Sequence, residues 1–143
     1  VYAPNSQQIL AGARNENGKG FRSIMDSIMQ GRNVVKSAGA NTTIGAIATN
    51  VQFNKAELKK IAGMAHDGFA RTINPIHTMW DGDTIFALST GKATGVEADV
   101  TAIGAIAATV MAQAVARAVV HAESLPDLNL PAHRDYVQVE SSR

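Results

Sequence analysis

Three groups of side chains could do chemistry: Asn41-Thr42-Thr43, Asp81-Gly82-Asp83, and the histidines His66 and His77. A threonine hydroxyl is a poor nucleophile at neutral pH and needs a base fixed within hydrogen-bond reach. Cutting the chain between Asn41 and Thr42 would supply one, because it frees the α-amino group of Thr42, with a pKa of about 8. The same tripeptide also fits a plainer reading, in which paired hydroxyls near a strand satisfy a turn or an edge. Asp81 and Asp83, one residue apart, could orient an amine or a hydroxyl. They could equally be an acidic turn that caps its own backbone. A hard cation held with help from His77 is a third reading, but a calcium loop needs more oxygen ligands than this stretch offers. No metal and no cofactor are therefore expected. Either histidine could act as a general base. Neither has a second histidine at i+4, as a helical zinc site requires, and no serine sits in a nucleophile-elbow context. His66 is expected to be a helix residue bonded to a neighbour. His77 is a candidate to line a site, together with Thr43, because it lies close to the carboxylates.

These groups need elements to hold them. The run from Ile44 to about Val51 is apolar, β-branched or small, and bounded by Gly39 before it and Asn50 and Asn54 after it. It predicts a strand covered on both faces, with Thr42 held rigidly at its head. Upstream, Val1 to Lys19 reads as the end of a strand or a hairpin leading to the Asn15-Glu16-Asn17-Gly18 turn. Phe21, Ile24, Met25, Ile28 and Met29 repeat as one face of a short helix with Gly31 at its C-terminal cap. Its methionines read as core filler. Residues 32 to 41 form a connector. Downstream, Asn54 and Glu57 have the spacing of a capping box, opening a helix with Leu58, Ile61, Ala62, Ala65 and Phe69 inward. Lys55, Lys59 and Lys60 lie on its solvent side.

The stretch from Thr72 to Asp83 is aperiodic and broken by Pro75, and Asp81-Gly82-Asp83 is expected as a tight turn. A short strand from Thr84 to Thr90 follows, then a loop from Gly91 to Gly95. A long alanine-rich helix runs from the N-cap Asp99 to His121. Gln113 and Arg117 argue against a bilayer span, and Gly104, Ala107, Ala108 and Ala112 suit close packing on a sheet. The tail from Pro126 to Arg143 is expected to wrap the surface or dock on a neighbouring subunit. The order strand, helix, strand, helix, strand, helix places the chain in the α/β layered class.

With 143 residues, 45% of them hydrophobic, the chain supports one domain or a piece of a larger one. A net charge of +1 and 5% aromatics argue against a nucleic-acid surface. Without cysteine there is no disulfide, thiolate metal site or cysteine nucleophile. The first residues carry no basic-then-apolar signal, so the expected compartment is the cytoplasm, and the chain reads as a fragment, a processed product or a piece lacking its upstream part.

Taken in order, Asn41 to Asn50, Ala65-His66-Asp67-Gly68-Phe69-Ala70-Arg71, Pro75-Ile76-His77-Thr78, Asp81-Gly82-Asp83-Thr84-Ile85-Phe86-Ala87 and Thr101 to Ala107 make a specific pattern. It resembles the self-processing peptidase family that includes the L-aminopeptidase/D-esterase enzymes and the nylon-oligomer hydrolases. The resemblance covers roughly residues 5 to 120. It implies an N-terminal-nucleophile-like, four-layer αββα sandwich of which this chain supplies the C-terminal part. Residues 1–41 would end an upstream α fragment, and residues 42–143 would be the β fragment. Autocleavage between Asn41 and Thr42 would leave Thr42 as nucleophile, with Asp81 and Asp83 holding it and its amine, and with a lysine and an asparagine of the site lying before Val1. The implied partners are the α fragment of the same precursor, a small peptide or amide substrate, and further copies of the αβ unit, with no nucleic acid and no membrane. Two other classes stay open: a non-catalytic or unprocessed assembly subunit, and an acyltransferase of a related self-cleaving fold.

Overall fold

The computed structural model describes residues 1–17, 20–32, 42–97 and 99–140. It is a mixed α/β structure whose centre is one β-α-β unit. Strand β1 (Ile44–Thr49) and strand β2 (Thr84–Ser89) lie parallel, with Ile44 opposite Thr84 and Thr49 opposite Ser89. Helix α2 (Lys55–Ala70) makes the crossover between them, as a parallel pair requires. It is preceded by the short helix α1 (Ile24–Met29) and followed by α3 (Val100–Val120), a 3-10 turn at Pro126–Leu128 and α4 (His133–Glu140).

The local signals for α2 and α3 hold. Asn54 Oδ1 accepts the amides of Ala56 and Glu57, and Glu57 Oε2 accepts the Asn54 amide at 2.8 Å, closing the capping box. Asp99 caps α3 through the Ala102 amide, and His121 ends it. Ile61, Ala65 and Phe69 of α2 are buried against Ala107 and Met111 of α3, together with Val51, Phe53 and Ile85. The long helix packs chiefly along α2 and only lightly on β1, so its expected seat on the sheet is corrected to a helix-on-helix seat. The reason is the small-residue seam: a Cβ at Gly68 would lie 2.4 Å from Ala108 O and 2.6 Å from Met111 Cβ. Only glycine lets the two backbones approach so closely. By length and composition alone α3 could also cross a membrane, with a hydropathy of 1.7 over its most apolar window.

Two further expectations are corrected. The strand from Ile44 is covered on one face only: Gly45, Ile47 and Thr49 are half-buried, whereas Ile44 is 71% exposed and Ala46 and Ala48 are open. On β2, Phe86 and Leu88 extend the same open apolar face. A continuous apolar run does not say from which chain its second cover comes. Of the two readings of the opening segment, the hairpin holds, as isolated antiparallel bridges of Tyr2 with Ile9 and Arg14 with Phe21, and it adds no strand to the sheet. Helix α1 ends at Met29 with Gln30 as its C-cap and Gly31 beyond it at φ +68°, as its sequence predicts, but none of its residues is buried and Met29 is 80% exposed. With no buried residue the helix contributes nothing to the core formed by the described residues, so Met29 is not core filler.

The tail wraps the surface, as expected. Ala132 is buried, and the His133 Nδ1 atom lies 2.8 Å from Leu10 O. The Tyr136 ring meets Phe21 with centroids 4.9 Å apart, and the Arg14 guanidinium stacks over it. Asp135 accepts the Ala132 amide and the Ser124 hydroxyl, which hold its carboxyl below the usual carboxylate range, the hydroxyl most strongly.

Candidate functional site at the head of β1

Thr42 and Thr43 lead directly into β1, and the irregular segment 71–83 leads into β2, so the parallel pairing brings both approaches to one end of the sheet. The ladder starts there, with the Thr84 amide donating to Thr43 O at 2.9 Å. From that edge Asp83 reaches back: its Oδ1 accepts the Thr43 amide at 2.9 Å, and its Oδ2 lies 3.0 Å from His77 Nδ1. The Asp83 side chain is 4% exposed, so this carboxylate is held on both oxygens and shielded from water.

The Thr42 side chain lies over Gly82. A Cβ at Gly82 would stand 2.9 Å from Thr42 Oγ1, so a larger residue between the two acids would push the hydroxyl from its place. Asp81 does something different. Its Oδ2 accepts the Thr78 amide at 2.6 Å while its own amide donates to Thr78 O, which is the self-capping turn written into the sequence. That turn spans 78–81, not 81–83. The two acids, read as one pair in the sequence, thus divide: Asp83 bonds across to Thr43, 40 residues away, and Asp81 closes its own loop.

His77 has φ +56°, in the left-handed region where histidine is enriched among non-glycine residues but remains uncommon. Its ring is partly exposed, and the edge of His66 on α2 meets it with centroids 5.0 Å apart. His66 also stands edge-on to Phe69. Partial burial, followed by the charge of His77, holds the His66 pKa below the ordinary histidine value, with Asp83 and Asp67 pulling it up. Asn41, on the other side of the bond to Thr42, lies outside the described residues. Among the described residues no group of three or more His, Asp or Glu side chains converges on a point where a metal could sit. An open polar hollow of about 690 Å3 lies apart from all of this, lined by Asn15, Arg22, Asp26 and their neighbours.

The sequence names Thr42, Thr43, His77, Asp81 and Asp83, and the structure gathers all five at one end of the sheet. It does not announce the link from His77 to Asp83 or the contact between the two histidines, because both depend on a left-handed residue in an aperiodic segment. The one available signal is His77 lying six residues before Asp83 beside a glycine-flanked acid.

Chemically, a buried carboxylate fixed to the backbone amide that follows Thr42 can orient a neighbouring amine and stabilise its positive charge. Comparison with known proteins agrees with a hydrolytic family. Residues 6–130 match peptidase family S58. An uncharacterized aminopeptidase of Mycobacterium tuberculosis is 46% identical over 107 residues, which are 66% of this chain and 30% of the relative. A 6-aminohexanoate-oligomer endohydrolase of Paenarthrobacter ureafaciens is 44% identical over 94 residues, 59% of this chain and 26% of the relative. The chain therefore spans about a third or less of the length of the curated relatives it matches. Matched along most of its length, with its acids, hydroxyls and histidines grouped where β1 begins, the chain belongs to peptidase family S58.

Proposed function

We propose that the chain is the nucleophile-bearing, C-terminal part of a self-processing amide hydrolase, acting on short peptides or small amides with a free amine. The single observation that carries this reading is the buried Asp83 carboxylate bonded to the Thr43 amide one residue from the Thr42 hydroxyl. The names of the relatives, an aminopeptidase and an oligomer endohydrolase, support the same reaction class.

In the proposed maturation, Thr42 Oγ attacks the Asn41 carbonyl and the acyl group moves from nitrogen to oxygen. Water then splits the ester, leaving a carboxylate on Asn41 and a free amine on Thr42. In turnover that amine takes the hydroxyl proton as Thr42 Oγ attacks the substrate carbonyl, and the proton passes to the leaving amine. Water releases the acyl-threonine ester. Asp83 and Asp81 orient the new amine. His77 and Thr43 line the site.

The open apolar face of Ile44, Ala46, Ala48, Phe86 and Leu88 supports a second sheet packed there, giving the four-layer αββα sandwich. Residues 1–41 would belong to the α fragment and residues 42–143 to the β fragment. The exposed side of α3 suits contact between αβ units, and the cytoplasm remains the expected compartment.

The test is the intact mass and N-terminal sequence of the full-length protein, as wild type and as Thr42→Ala. The wild type should yield a fragment that starts at Thr42. Thr42→Ala should stay in one piece and lose amide hydrolysis by at least about 10³-fold. A folded wild type that never yields that fragment would overturn the reading.

A further inference from the structure

We propose that His77 is a positioning residue that sets the plane of the Asp83 carboxylate and so fixes the acid against the Thr42 end of β1. The inference rests on the reading of Thr42 as nucleophile. An aspartate carboxyl turns about a broad, two-fold torsion, so one hydrogen bond leaves it free to swing. Here the Thr43 amide holds Oδ1 at 2.9 Å and the imidazole Nδ1 stands 3.0 Å from Oδ2. With both oxygens engaged, the plane of the group is determined. A carboxylate only accepts, so Nδ1 carries the proton and Nε2 faces away from the acid.

The pair differs from an ordinary surface ion pair, which contributes little. His77 is 39% exposed but Asp83 only 4%, so the imidazole is bonded to an acid that is itself shielded from water. The backbone at His77 is held at φ +56°, a conformation that persists only where the surroundings enforce it and that aims the ring. The ring also meets His66, carried by helix α2, with centroids 5.0 Å apart. The charged and titratable groups facing the imidazole are thus Asp83 from its own segment and His66 from α2. A side chain supported from a helix, on a strained residue, against a shielded acid, acts through that acid.

The experiment uses the full-length protein and a double-mutant cycle of His77→Ala with Asp83→Asn, plus His77→Asn, which keeps a donor and tolerates a positive φ. Read out are the rate at which the Thr42-starting fragment appears, kcat and KM on an amino-acid anilide, and the melting temperature. His77→Ala should lower kcat and the processing rate about 10- to 100-fold, the cost of a catalytic group displaced by about an ångström. KM should stay within about twofold, because an interaction acting only in the transition state leaves it unchanged. His77→Asn should recover most of the loss. Added to Asp83→Asn, His77→Ala should cost less than about threefold, since the two act as one unit. Equal losses on both backgrounds, or an unchanged kcat in a folded His77→Ala, would overturn the inference. If Thr42→Ala still matures and turns over, the parent reading fails instead; if Thr42 is required and His77 is not, only the positioning role falls.

Discussion

The two faces of the β1–β2 pair have similar residues and opposite surroundings. On one side Ile85 is buried with Phe69 and Met111 under two helices; on the other, Phe86, next along the same strand, is 61% exposed. Alternation along β2 puts these neighbours on opposite faces, and helices cover only one of them here. The apolar character of the open face is not inevitable. It teaches that composition reports what a strand is built to meet, whereas burial reports what this stretch of chain provides.

The contrast can be broken or sharpened by substitution, starting with the largest effect. Phe69→Ala, at the centre of the covered face, should cost about 3–5 kcal/mol in urea unfolding of the full-length protein. Gly68→Ala should cost about 1–3 kcal/mol by the same measurement, because the new Cβ meets the backbone of α3 at Ala108. Phe86→Ala in the 143-residue chain should change stability by no more than about 0.5 kcal/mol. In the longer protein the same substitution should move toward the Phe69 value, since a second sheet would then cover it; a small effect in both would remove that layer from the proposal.

The smallest effect is one of pH. The His66 pKa is lowered in the folded state, by partial burial first and then by the charge of His77. The fold therefore favours the neutral ring, so this contribution to stability is complete above about pH 6.5 and is lost as acid passes through the lowered folded value. His66→Gln should flatten the acid limb of the melting temperature plotted against pH.

What could be read from the sequence was what local chemistry decides. The capping box of Asn54 and Glu57, the Asp99 cap and the inward stripe of α2 each depend on neighbours within four residues, and each is present. The site was legible as a set of residue types but not as an arrangement. Asp81 and Asp83 are one motif in sequence and two devices in space, because the partner that separates them, the Thr43 amide, arrives through strand pairing. The open face of β1 and the bare helix α1 were illegible for the opposite reason, since their apolar residues signal burial without naming what would supply it. The positive φ of His77 left no periodic trace at all.

The tail has a consequence of its own. Helix α4 begins at His133, beyond the residues that match the family, and its first turn grips Leu10, Arg14 and Phe21. While the backbone is continuous, that grip is an intramolecular closure with a high effective concentration. Opened at any bond between residues 22 and 132, the backbone stops enforcing it, and the same four side chains and one carbonyl become a binding surface between two polypeptides, where loss of the tail would be felt as weaker retention of a partner.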